Sequence, residues 1–174
     1  MKWRYVLLWL ILGGVLFCTS CNHFQAGTAH YFSYREEIFC AEICGQLNGI
    51  SFSAEIGRTE AFDETNPLAN TYIQYLRPTA LKGIRLQYDR LGNPCASLDE
   101  ISYPLTTADI AQGWLSPLEF LLTDAEILRV TKEKGETVLK LPKAELRLSK
   151  EGLPLSLYGE EMEIKTVWWQ AKAR

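Results

Sequence analysis

Residues 36–56 read EEIFCAEICGQLNGISFSAEI, and this stretch decides the fold. Apolar side chains alternate with polar or small ones on both sides of the turn signal Leu-Asn-Gly. Because successive side chains of a β-strand point to opposite faces, the alternation predicts a β-hairpin with one buried face. A helix over Tyr34–Gln46 is the alternative, but it would carry only a thin apolar stripe. The predicted inward residues are Phe39, Ala41, Ile43, Ile50, Phe52, Ala54 and Ile56.

The same pattern continues towards the C-terminus. Short runs of strand-forming residues alternate with turn signals at residues 91–93, 133–136 and 151–154, which describes an antiparallel meander. The predicted strands cover residues 71–76, 81–89, 95–103, 126–132, 137–142, 144–150, 155–159 and 161–169. Period two places three sets of residues each on one face: Leu146 and Leu148; Leu153, Leu155 and Leu157; Ile164, Thr166 and Trp168.

One segment in mid-chain interrupts the meander, because residues 109–112 and 117–122 have the pattern of two short helices. Ser116 is the predicted N-cap of the second helix, with Pro117 at its first position and Glu119 at the capping-box position. The apolar face of this helix consists of Leu118, Leu121 and Leu122. The predicted fold is therefore mainly β: a single curved antiparallel sheet, a half-barrel, with one or two short helices on its concave side.

The chain begins with a three-part secretion signal. A basic start, MKWRY, precedes the apolar run VLLWLILGGVLF at Val6–Phe17, and small residues follow it. A permanent membrane-spanning helix needs roughly 20 residues, whereas this run has 12, so a retained anchor helix is the weaker alternative. We predict a signal peptide over residues 1–20, a tether over residues 21–33 and a sheet domain over residues 34–174.

Cys18 and Cys21 form a C-x-x-C directly after the apolar run. A redox motif would need a folded strand and helix around its first cysteine, and a zinc site would need a second ligand pair. The segment Thr19-Ser20-Cys21 instead resembles the lipobox of bacterial lipoproteins, in which the cysteine receives a diacylglyceryl group. This resemblance implies a lipidated Cys21, loss of Cys18 with the signal peptide, and attachment to the extracytoplasmic face of the cell membrane. Ordinary signal cleavage without lipid is the alternative.

The order of elements over about Tyr34–Trp169 resembles the family of lipoprotein-carrier-like half-barrels. The shared features are the N-terminal hairpin, a strand ending in Arg77-Pro78, the segment Leu81-Lys82-Gly83 opening another strand, and a short helix in mid-chain. The chain is also similar to a set of uncharacterised lipoproteins of anaerobic Gram-positive bacteria. The resemblance implies a sheet around an apolar cavity that holds acyl chains in relatives, or a protein-docking surface in cell-envelope and sporulation systems. Family carriers are soluble, so a lipidated Cys21 departs from a shuttling role.

Three further cysteines, Cys40, Cys44 and Cys95, follow the N-terminal pair. Cys40 and Cys44 would lie roughly 13 Å apart on a strand, too far for a disulfide, whose Cα atoms lie within about 7 Å. Any bridge would therefore join Cys95 to one of the other two, and three free thiols are an equally good interpretation.

The sequence contains no recognisable catalytic, cofactor-binding or metal-binding motif. His23 and His30, the two histidines, fall in the predicted tether, and no nucleophile elbow, phosphate-binding loop or zinc-protease motif occurs. The net charge of −3, without a basic run, argues against a nucleic-acid partner. An envelope hydrolase is therefore the least supported class of function. The acids predicted to alternate outward on strands are Glu42, Glu55, Glu145 and Glu163.

The aromatic residues are the remaining candidates for a binding surface, although filling the core is their commoner role. Trp168 and Trp169 are adjacent and must face opposite sides of a strand, so one of them should be exposed. The leading hypothesis is a non-enzymatic, membrane-anchored lipoprotein whose curved sheet binds an apolar or lipid ligand or an envelope partner. The alternative is an assembly factor of the envelope or sporulation system without a small-molecule ligand. The other aromatic candidates are Trp114, Tyr72, Tyr75 and Tyr88.

Overall fold

The computed structural model describes residues 29–98, 101–106, 113–123 and 125–171. The chain divides into two compact units, Met1–Ser33 and Tyr34–Arg174, and the sheet belongs to the second. The predicted signal peptide, the lipidation site Cys21 and the predicted helix at residues 109–112 lie outside the described residues. Residues 29–33 of the predicted tether are described, and they belong to a 3-10 helix.

Within the described residues, eleven antiparallel strands form one open, curved sheet. Its order is β6-β5-β4-β3-β2-β1-β11-β10-β9-β8-β7, so β6 and β7 are the two edges. The predicted mainly-β half-barrel is confirmed. The strands are β1 (Phe39–Leu47), β2 (Ile50–Arg58), β3 (Thr71–Arg77), β4 (Ile84–Tyr88), β5 (Pro94–Leu98), β6 (Ile101–Pro104), β7 (Arg129–Glu133), β8 (Glu136–Lys140), β9 (Ala144–Leu148), β10 (Pro154–Gly159) and β11 (Met162–Ala171). The helices are η1 (Ala29–Arg35, 3-10), η2 (Thr79–Leu81, 3-10) and α1 (Ser116–Leu122).

The predicted hairpin is β1 and β2. Asn48 and Gly49 form its two-residue turn with positive φ angles of 50° and 76°, the backbone that a tight antiparallel connection needs. The predicted inward residues Phe39 to Ile43 and Phe52 to Ile56 are buried. Ile50 is the exception, because it stands beside the turn and is 46% exposed.

At the centre of the sheet, β1 pairs with β11, so the first and last strands of the described chain are neighbours. Gly45 makes this approach possible, since a Cβ atom there would overlap the carbonyl oxygen of Glu163 on β11. The register shifts once, between Glu42 and Ile43, which oppose Trp168 and Thr166. Val167 is the extra residue of this bulge.

Two bulges overturn the predicted alternation at the C-terminal end. The bulge at Val167 turns Trp168 outward and Trp169 inward, so Trp168 does not share the buried face of Ile164. A second register shift, between Pro154 and Ser156, leaves Leu155 exposed while Pro154 and Leu157 are buried. The predicted set of Leu153, Leu155 and Leu157 on one face is therefore wrong.

Three smaller predictions also need correction. The run at residues 81–89 opens as η2 rather than as a strand, and β4 begins only at Ile84. The run at residues 95–103 is a hairpin of β5 and β6 and not a single strand. Leu115, not Ser116, is the N-cap of α1, and the predicted capping box does not form: the Ser116 N–H donates to the Gly113 carbonyl, and the Glu119 carboxylate accepts a hydrogen bond from Tyr88. Within the described residues, no disulfide involves Cys40, Cys44 or Cys95.

Candidate functional site

The concave face of the sheet is partly covered by α1. Its leucines are almost fully excluded from solvent, with exposed fractions of 0% for Leu118, 1% for Leu121 and 0% for Leu122. The prediction that this apolar helix face covers the sheet is confirmed. Seven residues are too few for a helix to be stable by itself, so this burial is what holds α1 in place.

Polar side chains from the sheet and its N-terminal lead fix the position of this segment. The Tyr34 hydroxyl donates to the Leu121 carbonyl at 2.7 Å, and the Arg35 Nε donates to the same oxygen at 3.1 Å. On the preceding turn, the Tyr75 hydroxyl donates to the Trp114 carbonyl at 2.6 Å. The two bonds to Leu121 satisfy a buried carbonyl in the last turn, where a helix has no internal donor for it.

A third tyrosine binds the helix through a side chain. The Tyr88 hydroxyl on β4 donates to Glu119 Oε1 at 2.6 Å. Burial raises the pKa of both Tyr75 and Tyr88, and the hydrogen bond to Glu119 raises that of Tyr88 further. Both phenols therefore remain protonated donors at neutral pH. Their hydrogen bonds hold α1 and the turn before it against the concave face.

Beyond α1, part of the concave face is exposed. On β4, β5 and β6 the residues that share a face with Tyr88 are cross-strand neighbours of one another and form two apolar rows. Leu98, Ile101 and Tyr103 are 48%, 59% and 56% exposed. We name this surface the apolar wall. Its members are Ile84, Leu98 and Ile101 in one row and Leu86, Ala96 and Tyr103 in the other.

The two edges of the sheet differ in charge. The opposite edge, β7, carries Arg129, Lys132 and Glu133, and charges of this kind discourage pairing with another chain. The edge next to the wall, β6, reads Ile-Ser-Tyr-Pro; it carries no charge and all four residues are exposed. Contiguous exposed apolar surface on one face is typical of an interaction site.

The two adjacent tryptophans divide as predicted, one inward and one outward. Trp169 stacks on Phe39 at 4.2 Å between ring centroids and meets Tyr34 edge-on at 5.4 Å, so it belongs to the core beside α1. Trp168 is 40% exposed on the convex face. Its Nε1 donates to Glu42 Oε2 at 3.0 Å.

The convex face holds a second ordered cluster around Tyr72. This ring lies across Gly57 on the neighbouring strand, with no Cβ to displace it. The Arg85 guanidinium stacks over the ring at 3.7 Å, and the hydroxyl donates to Glu55 Oε1 at 2.8 Å. Burial, followed by the hydrogen bonds to Cys40 and Glu55, raises the pKa of Tyr72. The cluster covers a glycine in the sheet.

Arg58 is the largest fully buried side chain of the inner face, at 1% exposure. Its guanidinium donates to the carbonyls of Ala69 at 3.0 Å and Pro67 at 2.5 Å, and lies 5.1 Å from the Phe62 ring. Burial, followed by the nearby charge of Arg35, lowers the pKa of Arg58 to about 10. It therefore remains a cation at neutral pH, and its bonds hold the loop between β2 and β3.

Of the polar candidates that the structure describes, it brings Glu42 and Glu55 together as cross-strand neighbours on the convex face. His30 lies against Tyr31 in η1, with ring centroids 3.8 Å apart, and His23 lies outside the described residues. Among the residues described, no group of three or more potential metal ligands occurs. The four outward acids engage neighbours: Glu42 with Trp168, Glu55 with Tyr72, Glu145 with Arg147 and Glu163 with Lys165.

Sequence reasoning missed the apolar wall. Its signal is present in the sequence, because Leu98, Ile101 and Tyr103 share a face once residues 95–103 are divided into two paired strands. Treating residues 95–103 as one strand put Leu98 and Ile101 on opposite faces instead. In the part of the chain that the structure describes, no helix is long and apolar enough to cross a membrane.

The sequence matches no protein-family model and no curated protein. Among solved structures, it is similar to a conserved protein of uncharacterised function from Thermus thermophilus, with a TM-score of 0.51 and 13% identity over 84% of this chain and 89% of the other. That likeness concerns the fold alone and places the chain among proteins with an open, curved antiparallel sheet.

Weaker similarities are to MucB and to the complex of Pseudomonas aeruginosa MucA and MucB. Their TM-scores are 0.40 and 0.33, each at 14% identity. The aligned regions cover 85% and 82% of this chain, and only 60% and 54% of the other chains.

Proposed function

We propose that the chain is a membrane-anchored lipoprotein of the extracytoplasmic face whose curved sheet binds a partner protein of the cell envelope and catalyses no reaction. The observation that carries the binding role is the contrast on the concave face: α1 fills one part, and the apolar wall at β4–β6 is exposed. The lipobox-like Thr19-Ser20-Cys21 supports the anchor.

A partner protein fits this geometry better than an acyl chain carried inside the sheet. An acyl-chain carrier needs an enclosed apolar volume that excludes water from most of the ligand's surface. In front of β3 and β4 that volume is occupied by Leu118 and its neighbours, which tyrosine hydroxyls hold in place. The wall is an open surface beside a sheet edge, and such a surface suits a strand or an apolar patch of another protein.

The anchor can be tested by feeding radiolabelled palmitate to cells that produce the full chain. We expect label in the wild-type protein and none in the variant Cys21→Ala, which should also leave the membrane fraction. An unlabelled wild-type chain, or label that persists in the variant, would reject the lipoprotein assignment.

The binding role can be tested by placing a photocrosslinking amino acid at Tyr103 of the full chain in cells. The matched control position is Ser51, which is exposed on the convex face of β2. We expect a discrete protein adduct from position 103 and none from position 51. The adduct from position 103 should disappear when the substitution Ile101→Asp is added. Ile50→Asp, at a similarly exposed isoleucine, should leave it unchanged. Adducts to lipid alone would favour an apolar ligand, and equal protein adducts at both positions would reject the wall.

A further inference from the structure

Three clefts join into one groove at the end of the sheet where β1 finishes. The first has a volume of about 260 Å³ and lies between the end of α1 and the turn from β8 to β9. It shares Phe120 and Lys143 with the second, of about 360 Å³. The second shares Glu160, Glu161 and Met162 with the third, of about 280 Å³. We name this path the turn-end groove; none of the wall residues lines it.

The groove changes in chemistry along its length. The first cleft has a mainly apolar lining that includes Phe120, Leu141 and Pro142, and the cationic Lys143 lines both this cleft and the second. The floor of the second is formed by Leu47 and Met162, which are buried. The third is lined by the exposed pair Glu160 and Glu161 and by Glu163, with Gln46 and Tyr158 beside them.

The turn that carries the acidic end is held in place. The Asn48 N–H donates to the Glu161 carbonyl at 2.8 Å, which ties the β1–β2 turn to the β10–β11 turn. The acids of the sheet that flank the groove have partners within the chain, since Glu163 pairs with Lys165 at 2.9 Å and Glu145 with Arg147 at 3.0 Å. Within the described residues, the carboxylates of Glu160 and Glu161 make no such pair.

The groove has an apolar cleft at one end and, at the other, the carboxylates of Glu160 and Glu161, which make no ion pair within the described residues. These features are complementary to an extended peptide that carries an apolar side chain close to basic residues. We propose that the turn-end groove binds such a segment of a partner protein, with the apolar side chain beside Phe120 and a Lys or Arg pair at Glu160 and Glu161. Charge complementarity of this kind selects partners and speeds their association.

The groove lies at one end of β1, where Leu47 lines it, and Phe39 stands at the other end of that strand. Eight residue steps along the strand correspond to roughly 26 Å. The inference depends neither on the lipid anchor nor on the apolar wall.

The test uses the full-length chain in detergent micelles and fluorescently labelled peptides in which one Phe precedes a Lys-Arg pair by zero to three glycines. We expect saturable binding that weakens as salt is added. Replacing the Lys-Arg pair by Glu-Glu, or the Phe by Gly, should abolish it.

The protein variant that tests the acidic end is Glu160→Gln with Glu161→Gln. Loss of two rim charge pairs should weaken binding by roughly tenfold. The matched control is Glu36→Gln with Glu37→Gln, which neutralises another exposed pair of adjacent glutamates and should not change binding. All four side chains are exposed, and a circular-dichroism spectrum identical to that of the wild type verifies that each double variant is folded.

Three results would overturn the proposal. One is equal binding by the Glu160/Glu161 and Glu36/Glu37 variants; another is equal binding of the Glu-Glu peptides. The third is that no peptide binds while sedimentation reveals self-association that the Glu160/Glu161 variant abolishes, since the groove would then hold a second copy of the chain.

Discussion

The concave face of this sheet has two regions that are similar in composition and opposite in solvent exposure. Leu118, Leu121 and Leu122 of α1 are buried against the sheet, whereas Leu98, Ile101 and Tyr103 of the apolar wall are 48–59% exposed. Both sets are apolar and both come from short elements. What separates them is whether a second layer of structure lies over them, so composition alone does not distinguish a core residue from a binding surface.

The largest expected difference between the two regions lies in stability. Leu118→Ala should lower the free energy of unfolding by about 2–5 kcal/mol, because it leaves a cavity under the helix. Ile101→Ala on the wall should change it by less than ~0.5 kcal/mol. Urea unfolding of both variants, followed by circular dichroism, measures the difference. Equal losses would mean that the wall belongs to the core.

The adjacent tryptophans give a second, smaller contrast. Trp169→Ala removes the ring stacked on Phe39 and should cost about 2 kcal/mol of unfolding free energy. Trp168→Ala removes an exposed ring with one hydrogen bond to Glu42 and should cost ~0.5 kcal/mol. The same urea titrations apply. A larger loss for Trp168 than for Trp169 would contradict the bulge at Val167.

A third contrast concerns tyrosine hydroxyls. Tyr75→Phe removes the donor to the partly buried Trp114 carbonyl and should cost about 1 kcal/mol, because this acceptor loses its partner within the chain. Tyr103→Phe, on the wall, should change the free energy of unfolding by less than ~0.5 kcal/mol. Thermal unfolding of the two variants at neutral pH measures the difference. Identical melting temperatures would mean that the hydrogen bond from Tyr75 does not stabilise the segment around α1.

The smallest expected effect is that alkaline pH weakens the stabilising contribution of the buried tyrosines Tyr75 and Tyr88. The pKa values of Tyr75 and Tyr88 are raised in the folded state, so their contribution is fully present below the unfolded value of about 10 and is lost as pH rises above it. Each group should contribute a decline approaching ~1.4 kcal/mol per pH unit. We expect Tyr75→Phe to make the fall in unfolding free energy between pH 9 and pH 11 less steep. An unchanged slope would contradict this assignment.

Much of the fold could be predicted from local pattern, and the candidate site could not. The hairpin of β1 and β2 follows from its alternation and its Asn48-Gly49 turn, and α1 follows from Pro117 and the spacing of its leucines. The wall depends on the division of residues 95–103 into two paired strands, β5 and β6, and on where α1 lies. The turn-end groove gathers residues from three turns and a helix, which no local window contains.

The sequence by itself determined that strands dominate, where most of them turn, and that one short apolar helix must be covered, because alternation and turn chemistry act between near neighbours. Only the tertiary structure decided the pairing of β1 with β11, the bulges that expose Leu155 and Trp168, and the part of the concave face that stays open. Those outcomes depend on contacts between residues far apart in the chain, such as Gly45 against Glu163 and Tyr88 with Glu119, and the spacing of apolar residues carries no record of them.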